Sequence, residues 1–271
     1  MKKNRMVPLC IAALALALAG CGDSTSPPPV QPVAHKPSPP APTKQTPPPA
    51  QPVASKPSAP KQWPFLEESA EGKLAANMLS KNYILVYDGS GSMSDVKCSD
   101  NKEKIEVARQ AVAEWVKTVP PEANVGLVAF HNATWTVRPL EAGQRDEFIR
   151  AVRDIRNAGN TPLGEAFKYA YAMMTEQGKK QMGYGDYVIV TITDGEANDS
   201  DSDNRLDTWV NRILKSSPVT IYTIGFCIAG THSLNQPGRT LYKAANNPQE
   251  LKEGLHDVTA EADFFDVSTF K

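Results

Sequence analysis

Four short apolar runs constrain this chain more than any other feature. They are Tyr83–Tyr87, Val125–Phe130, Tyr187–Thr193 and Val219–Phe226. Each is too short for an ordinary helix. Each is also too continuously apolar for a strand with one wet face, so the runs read as strands buried on both sides. Between them the apolar spacing turns helical. Lys102–Val119 places Ile105, Ala108, Val112, Trp115, Val116 and Val119 on one face, and Pro120-Pro121 ends it. Arg145–Arg156 reads as a second helix. A third begins after Thr161-Pro162, with Pro162 near its first turn, and runs to about Gln177, burying Leu163, Phe167, Ala170 and Met174. Asn204–Lys215 turns Leu206, Trp209, Val210 and Ile213 inward, and Trp135–Arg138 reads as an antiparallel edge strand. Thr240–Lys243 and Pro248–Ala262 supply a last strand and helix. The pattern predicts an α/β domain, with a mostly parallel central sheet flanked by helices on both faces.

The ends of three of these elements carry oxygen-bearing side chains. Asp88-Gly89-Ser90-Gly91-Ser92 follows the first strand, Thr161 precedes the third helix, and Asp194-Gly195 follows the Tyr187–Thr193 strand. In a parallel sheet, loops after the carboxyl ends of the strands converge on one crevice. Hard divalent cations prefer oxygen ligands. Two carboxylates and three hydroxyls from Asp88, Ser90, Ser92, Thr161 and Asp194 therefore read as one cation site. Mg²⁺ is the expected ion, Mn²⁺ can replace it, and Ca²⁺ would want more ligands than these five supply. An all-oxygen donor set disfavours Zn²⁺.

Asp88-x-Ser90-x-Ser92, then Thr161, then Asp194-Gly195 resembles the von Willebrand factor type A domain with its metal-ion-dependent adhesion site. The resemblance covers residues 82–262 and implies a Rossmann-like fold. It also implies that Ser90, Ser92 and Thr161 coordinate directly while Asp88 and Asp194 act partly through bound water. A protein partner would then complete the coordination with a carboxylate. Met93, Asn160, Glu196 and His232 are the expected rim of that contact. The chain departs from the family pattern between its last two strands, where the usual helix is shortened to Gly230–Gly238.

Enzyme chemistry finds less support. Asp88-Gly89-Ser90 is similar to the start of a haloacid-dehalogenase phosphotransferase, but Ser90 stands where the second Asp is needed. The glycines around Ser90 lack the Lys of a P-loop, and no Gly-x-Ser-x-Gly elbow flanks it. A Ser90 pair with His131 or His232 is the remaining hydrolase arrangement, so a metal-dependent hydrolase or phosphotransferase is the alternative function. Asp199-Ser200-Asp201-Ser202-Asp203 has Asn204 and Val210 where a calcium loop needs Gly and Glu. It reads as a solvated loop capping the helix after it.

The amino terminus points to the cell envelope. Residues 1–20 carry Lys2, Lys3 and Arg5 before the apolar run Cys10–Ala19, the pattern of a signal peptide. They end in Leu18-Ala19-Gly20-Cys21, which resembles the bacterial lipobox and implies a diacylated Cys21. Gly22 follows, and Asp23 is one place beyond the position of an inner-membrane retention signal. The expected site is therefore the periplasmic face of the outer membrane in a cell with two membranes. Residues 21–62 form a Pro-rich linker in which Pro27–Ser38 returns as Pro47–Ser58. Such a segment favours polyproline II and extends on the order of 100 Å. Residues 63–81 read as a lead-in helix, with Leu66, Ala70, Leu74 and Met78 at helical spacing, and residues 263–271 as a tail.

Loss of three basic residues with the signal leaves 26 basic against 30 acidic, a net charge of −4. Without a basic block, nucleic acid is not an expected partner, and the membrane is expected to be met through the lipid alone. Cys98 and Cys227 are the cysteines of the folded part, in an oxidising compartment, and are expected to form a disulfide.

Overall fold

A computed structural model describes residues 63–64, 73–199, 201–228 and 230–263, with the side chains of 261–263 excepted. The signal segment, Cys21, the linker, Leu66, Ala70 and residues 264–271 lie outside the described residues.

The four apolar runs are strands, as their composition requires. β1 (Asn82–Asp88), β2 (Asn124–His131), β4 (Tyr187–Thr193) and β5 (Thr220–Phe226) lie parallel, and β6 (Leu241–Ala245) extends them. β3 (Thr134–Glu141) pairs antiparallel with β2 and is longer than the four residues expected. The order among the described residues is β3-β2-β1-β4-β5-β6. Strand order reverses between β1 and β4, so a crevice opens there at the carboxyl ends.

Alternate residues of β1 divide between two cores. Tyr83, Leu85 and Tyr87 face α1 (Lys104–Thr118), α2 (Arg145–Asp154) and α5 (Pro248–Asp263). Ile84 and Val86 face α3 (Leu163–Lys180) and α4 (Leu206–Ser216). Burial on both faces explains why every residue of β1 and β4 is buried. No helix among the described residues is long and apolar enough to cross a membrane.

The lead-in helix is not formed over its described part. Lys73–Lys81 is irregular, and Leu74 is exposed rather than packed. The backbone of this stretch bonds across and locally instead: Ala75 N–H donates to Lys180 O, and Leu79 N–H to Asn77 Oδ1 in its own turn. Trp63 makes the packing contact expected of a helix. Its ring meets Tyr187 edge-on at 4.7 Å and lies over Gly178, whose missing side chain leaves the space. Gly230–Gly238 forms no helix. Its turn is plugged by the buried Leu234 and tied by Thr240 Oγ1 donating to Leu234 O.

Candidate metal centre

Three loops are fastened together at the β1–β4 crevice by their backbones. Gly91 N–H donates to Gly159 O at 3.0 Å, and Ala158 N–H to Gly89 O at 2.9 Å. Asn198 N–H donates to Thr161 O at 2.9 Å, and Asn198 Oδ1 accepts from Thr161 N–H at 3.3 Å. Gly89 makes the close fit possible, because a Cβ there would stand 2.6 Å from Phe130 O. The three sequence motifs therefore share one cluster.

Within it, four of the five expected donors touch one another or share partners. Ser92 Oγ donates to Asp194 Oδ1 at 2.6 Å, so the 3.0 Å contact between the two serines has Ser90 Oγ donating to Ser92 Oγ. Asp88 is fully buried. Its Oδ1 accepts from Ser90 N–H at 2.8 Å and its Oδ2 from the Thr193 hydroxyl at 2.6 Å. Thr161 is brought in by its backbone, and its hydroxyl bonds to none of the other four donors.

Burial pushes the Asp88 carboxyl up to about 6, against the pull of the Ser90 and Thr193 hydrogen bonds, and the nearby Asp194 adds to the rise. A carboxylate in that position lacks positive charge, and a cation beside it would supply it. The donor chemistry fits a hard ion. Among the described residues no group of three or more His, Cys, Asp or Glu is placed to hold a metal; the candidate set here is a mixed one of carboxylates and hydroxyls.

Two groups at the site were not read from the sequence. Thr193 fixes one oxygen of Asp88, and its own oxygen accepts from Gly195 N–H at 3.3 Å. Lys104, at the start of α1, donates to Asp194 Oδ2 at 2.9 Å. Lys104 stands four residues before Ala108, on the buried stripe of its helix, and that spacing is the signal that could have found it. Thr193 ends an apolar strand and carries no comparable signal.

The expected rim divides. Asn160 and Glu196 are exposed. Met93 and His232 are buried, at 0% and 2% exposure, and cannot meet a partner directly. Met93 is turned into the core by the short helical turn Gly91–Ser94. His232 Nε2 donates to Gly195 O at 2.9 Å and Nδ1 accepts from Leu234 N–H at 3.0 Å, so the ring braces the Asp194 loop from beneath. His131 bonds Thr136 Oγ1. Neither histidine engages Ser90, and the Ser–His arrangement is not formed.

Asp199 is a capping residue, as its place before α4 suggests. Its two oxygens accept from Gly164 N–H and Leu206 N–H, closing the amino ends of α3 and α4 together. A hollow of about 370 Å³ opens beside the Thr161 loop, with Trp135, Asn160 and Glu165 in its wall. Cys98, in the loop after the Gly91–Ser94 turn, is joined to Cys227 at the end of β5, with Cα atoms 6.1 Å apart.

A mostly parallel sheet with this strand order, and these three loops at its switch point, define a von Willebrand factor type A domain. The chain belongs to that family, which matches residues 82–271. It is 23% identical over 202 residues to the uncharacterized protein YwmD of Bacillus subtilis (strain 168), across 66% of this chain and 85% of that one. Among solved structures it is similar to the vWF domain of the type V pili tip protein Mfa5 from Porphyromonas gingivalis, with TM-score 0.54 and 11% identity, over 70% of this chain and 97% of that one. The pilus adhesin SpaC from Lactobacillus rhamnosus GG gives TM-score 0.53 at 14% identity, over 70% of this chain. This chain spans 31% of the adhesin's length. At such identities the likeness is one of fold.

Proposed function

We propose that this chain is a lipid-anchored envelope protein whose von Willebrand factor A domain binds a partner protein through a divalent cation. The observation that carries this reading is the convergence of Asp88, Ser90, Ser92, Thr161 and Asp194 at one end of the sheet, around a buried carboxyl short of positive charge. Ser90, Ser92 and Thr161 would hold the ion, with Asp88 and Asp194 acting partly through bound water and Asp194 also orienting the Ser92 hydroxyl. A bound Mg²⁺ or Mn²⁺ supplies one electrophilic position to an oxygen anion, for which a partner's Glu or Asp side chain is the natural donor. A pilus adhesin and a pilus-tip protein share the fold, and a binding role for this chain agrees with the adhesin.

A single metal bond does not select a partner, so the contact extends over the rim. Asn160 and Glu196 are the exposed candidates, and the adjoining hollow gives the partner a concave surface to fill. Glu196 is already held, accepting from Ser233 N–H at 3.0 Å and Ser233 Oγ at 2.7 Å, and presents a fixed edge. Affinity capture from envelope extract tests the reading. The partner is retained in Mg²⁺, released by chelator, and lost when one of its acidic residues becomes Ala. Equal retention in chelator would mean that binding does not pass through the ion.

The anchor rests on Leu18-Ala19-Gly20-Cys21. Two acyl chains hold a protein stably where one is marginal. Cys21→Ser is expected to release the chain from membranes or leave it unprocessed. Mass spectrometry that finds the wild-type amino terminus without lipid contradicts the anchor. Outer-membrane residence is part of the same proposal for a cell with two membranes, and the Pro-rich segment serves as its spacer.

A further inference from the structure

One charge at the site belongs to none of the five donors. The Lys104 side chain is 6% exposed, and the Asp194 side chain it meets is 0% exposed. Its Nζ lies 2.9 Å from Asp194 Oδ2 and 3.6 Å from Asp95 Oδ2, which is half exposed. Lysine is almost never buried without a partner. A cation in the first turn of a helix also opposes the positive end of the helix dipole. Two unfavourable placements are offset here chiefly by the shorter, fully buried contact, with a carboxylate of the candidate centre, and less by the half-exposed Asp95. Asp194 is thereby engaged at both oxygens, Oδ1 by the Ser92 hydroxyl and Oδ2 by Lys104.

We infer that Lys104 is the fixed counter-charge of the cation site, setting both its affinity for the ion and the charge it shows to a partner. The inference rests on the metal-binding reading. Asp88 and Asp194 alone would offer two negative charges to a divalent ion, and the loaded site would be neutral. With Lys104 the same donors offer one net negative charge, and the loaded site keeps one positive, the half-exposed Asp95 beyond Lys104 being screened by solvent. The ion is held less tightly than two free carboxylates would hold it. The residual charge then favours an anionic ligand at the open position, which three neutral hydroxyls could not do by themselves. Lys104 and the ion also do part of the same work, since each offsets negative charge that burial penalises. Lys104 lets the loops close around Asp194 before any ion arrives.

Lys104→Met and Lys104→Arg in the full chain separate this from a bracing role. Mn²⁺ alone is the probe, titrated by electron paramagnetic resonance, with thermal melting in chelator and in saturating Mn²⁺ alongside. Lys104→Met is expected to bind Mn²⁺ about tenfold more tightly or better, because a nearby like charge is gone. It should also melt lower than wild type in chelator and regain most of the difference with Mn²⁺. Lys104→Arg keeps the charge and should stay near wild type. A Lys104→Met chain that does not fold in either condition is replaced by Lys104→Gln, with the same expectation. Unchanged or weaker Mn²⁺ affinity in the neutral variant, with wild type still binding, overturns the inference and leaves the site standing. Wild type that binds no Mn²⁺ overturns the site itself, and the inference with it.

Discussion

Asp88→Ala is expected to weaken divalent-ion binding severely while the domain stays folded. Loss of a residue that only orients metal ligands typically costs ten- to a hundredfold in affinity. Asp88 is fully buried at the foot of the site, so a loss at the top of that range, about a hundredfold, is expected. The fold should survive, because the terms oppose each other. The change leaves the Ser90 N–H without its partner, a cost of about 1–3 kcal/mol, while the Thr193 hydroxyl can turn to Gly195 O at 3.0 Å. It also removes a carboxylate that burial disfavours in its charged form. Isothermal calorimetry with Mg²⁺ and a urea melt in chelator read the two effects separately. Wild-type affinity in the variant would remove Asp88 from the site.

Opening the Cys98–Cys227 bridge is expected to be the largest change in stability. The cysteines are 129 residues apart, and a loop of that size restricts the unfolded chain by about 4–5 kcal/mol in the chain-entropy account. That is a large share of the roughly 5–15 kcal/mol that holds a domain of ordinary size together. The bridge joins the loop after β1 to the end of β5, at the same end of the sheet as the candidate centre. Its loss should therefore also loosen Ser92 and Asp194. A Cys98→Ser, Cys227→Ser chain is expected to unfold at clearly lower urea and to bind the ion more weakly. A denaturation midpoint equal to wild type would assign the bridge no role in stability.

The elements legible in the sequence were those whose environment is uniform. β1 and β4 are buried on both faces, so their residues are apolar throughout and their ends fall where the polar motifs begin. α1 and α4 have one buried stripe, and their spacing shows it. The lead-in helix misled because a spacing of four is only a necessary condition. Leu74 has no face of the domain to cover, and the backbone of this stretch finds its hydrogen bonds on α3 and in its own turns. The donors at the crevice could be read because each lies directly at the end of an element. The groups that hold them are harder to see. Lys104 shows only through its place four residues before Ala108 on the buried stripe of α1, and Thr193 looks like one more strand residue. Met93 and His232 were placed at the rim by their position in loops, but a short helical turn takes one into the core, and two backbone bonds pin the other beneath Gly195. Sequence position locates a residue along a loop. Burial is decided by how that loop closes.

Anomalous X-ray scattering from crystals of the mature chain grown with Mn²⁺ tests the central claim most directly. One strong peak is expected within bonding distance of the hydroxyls of Ser90, Ser92 and Thr161, absent from crystals of Asp88→Ala. A peak elsewhere, or none at these loops under saturating Mn²⁺, would contradict it.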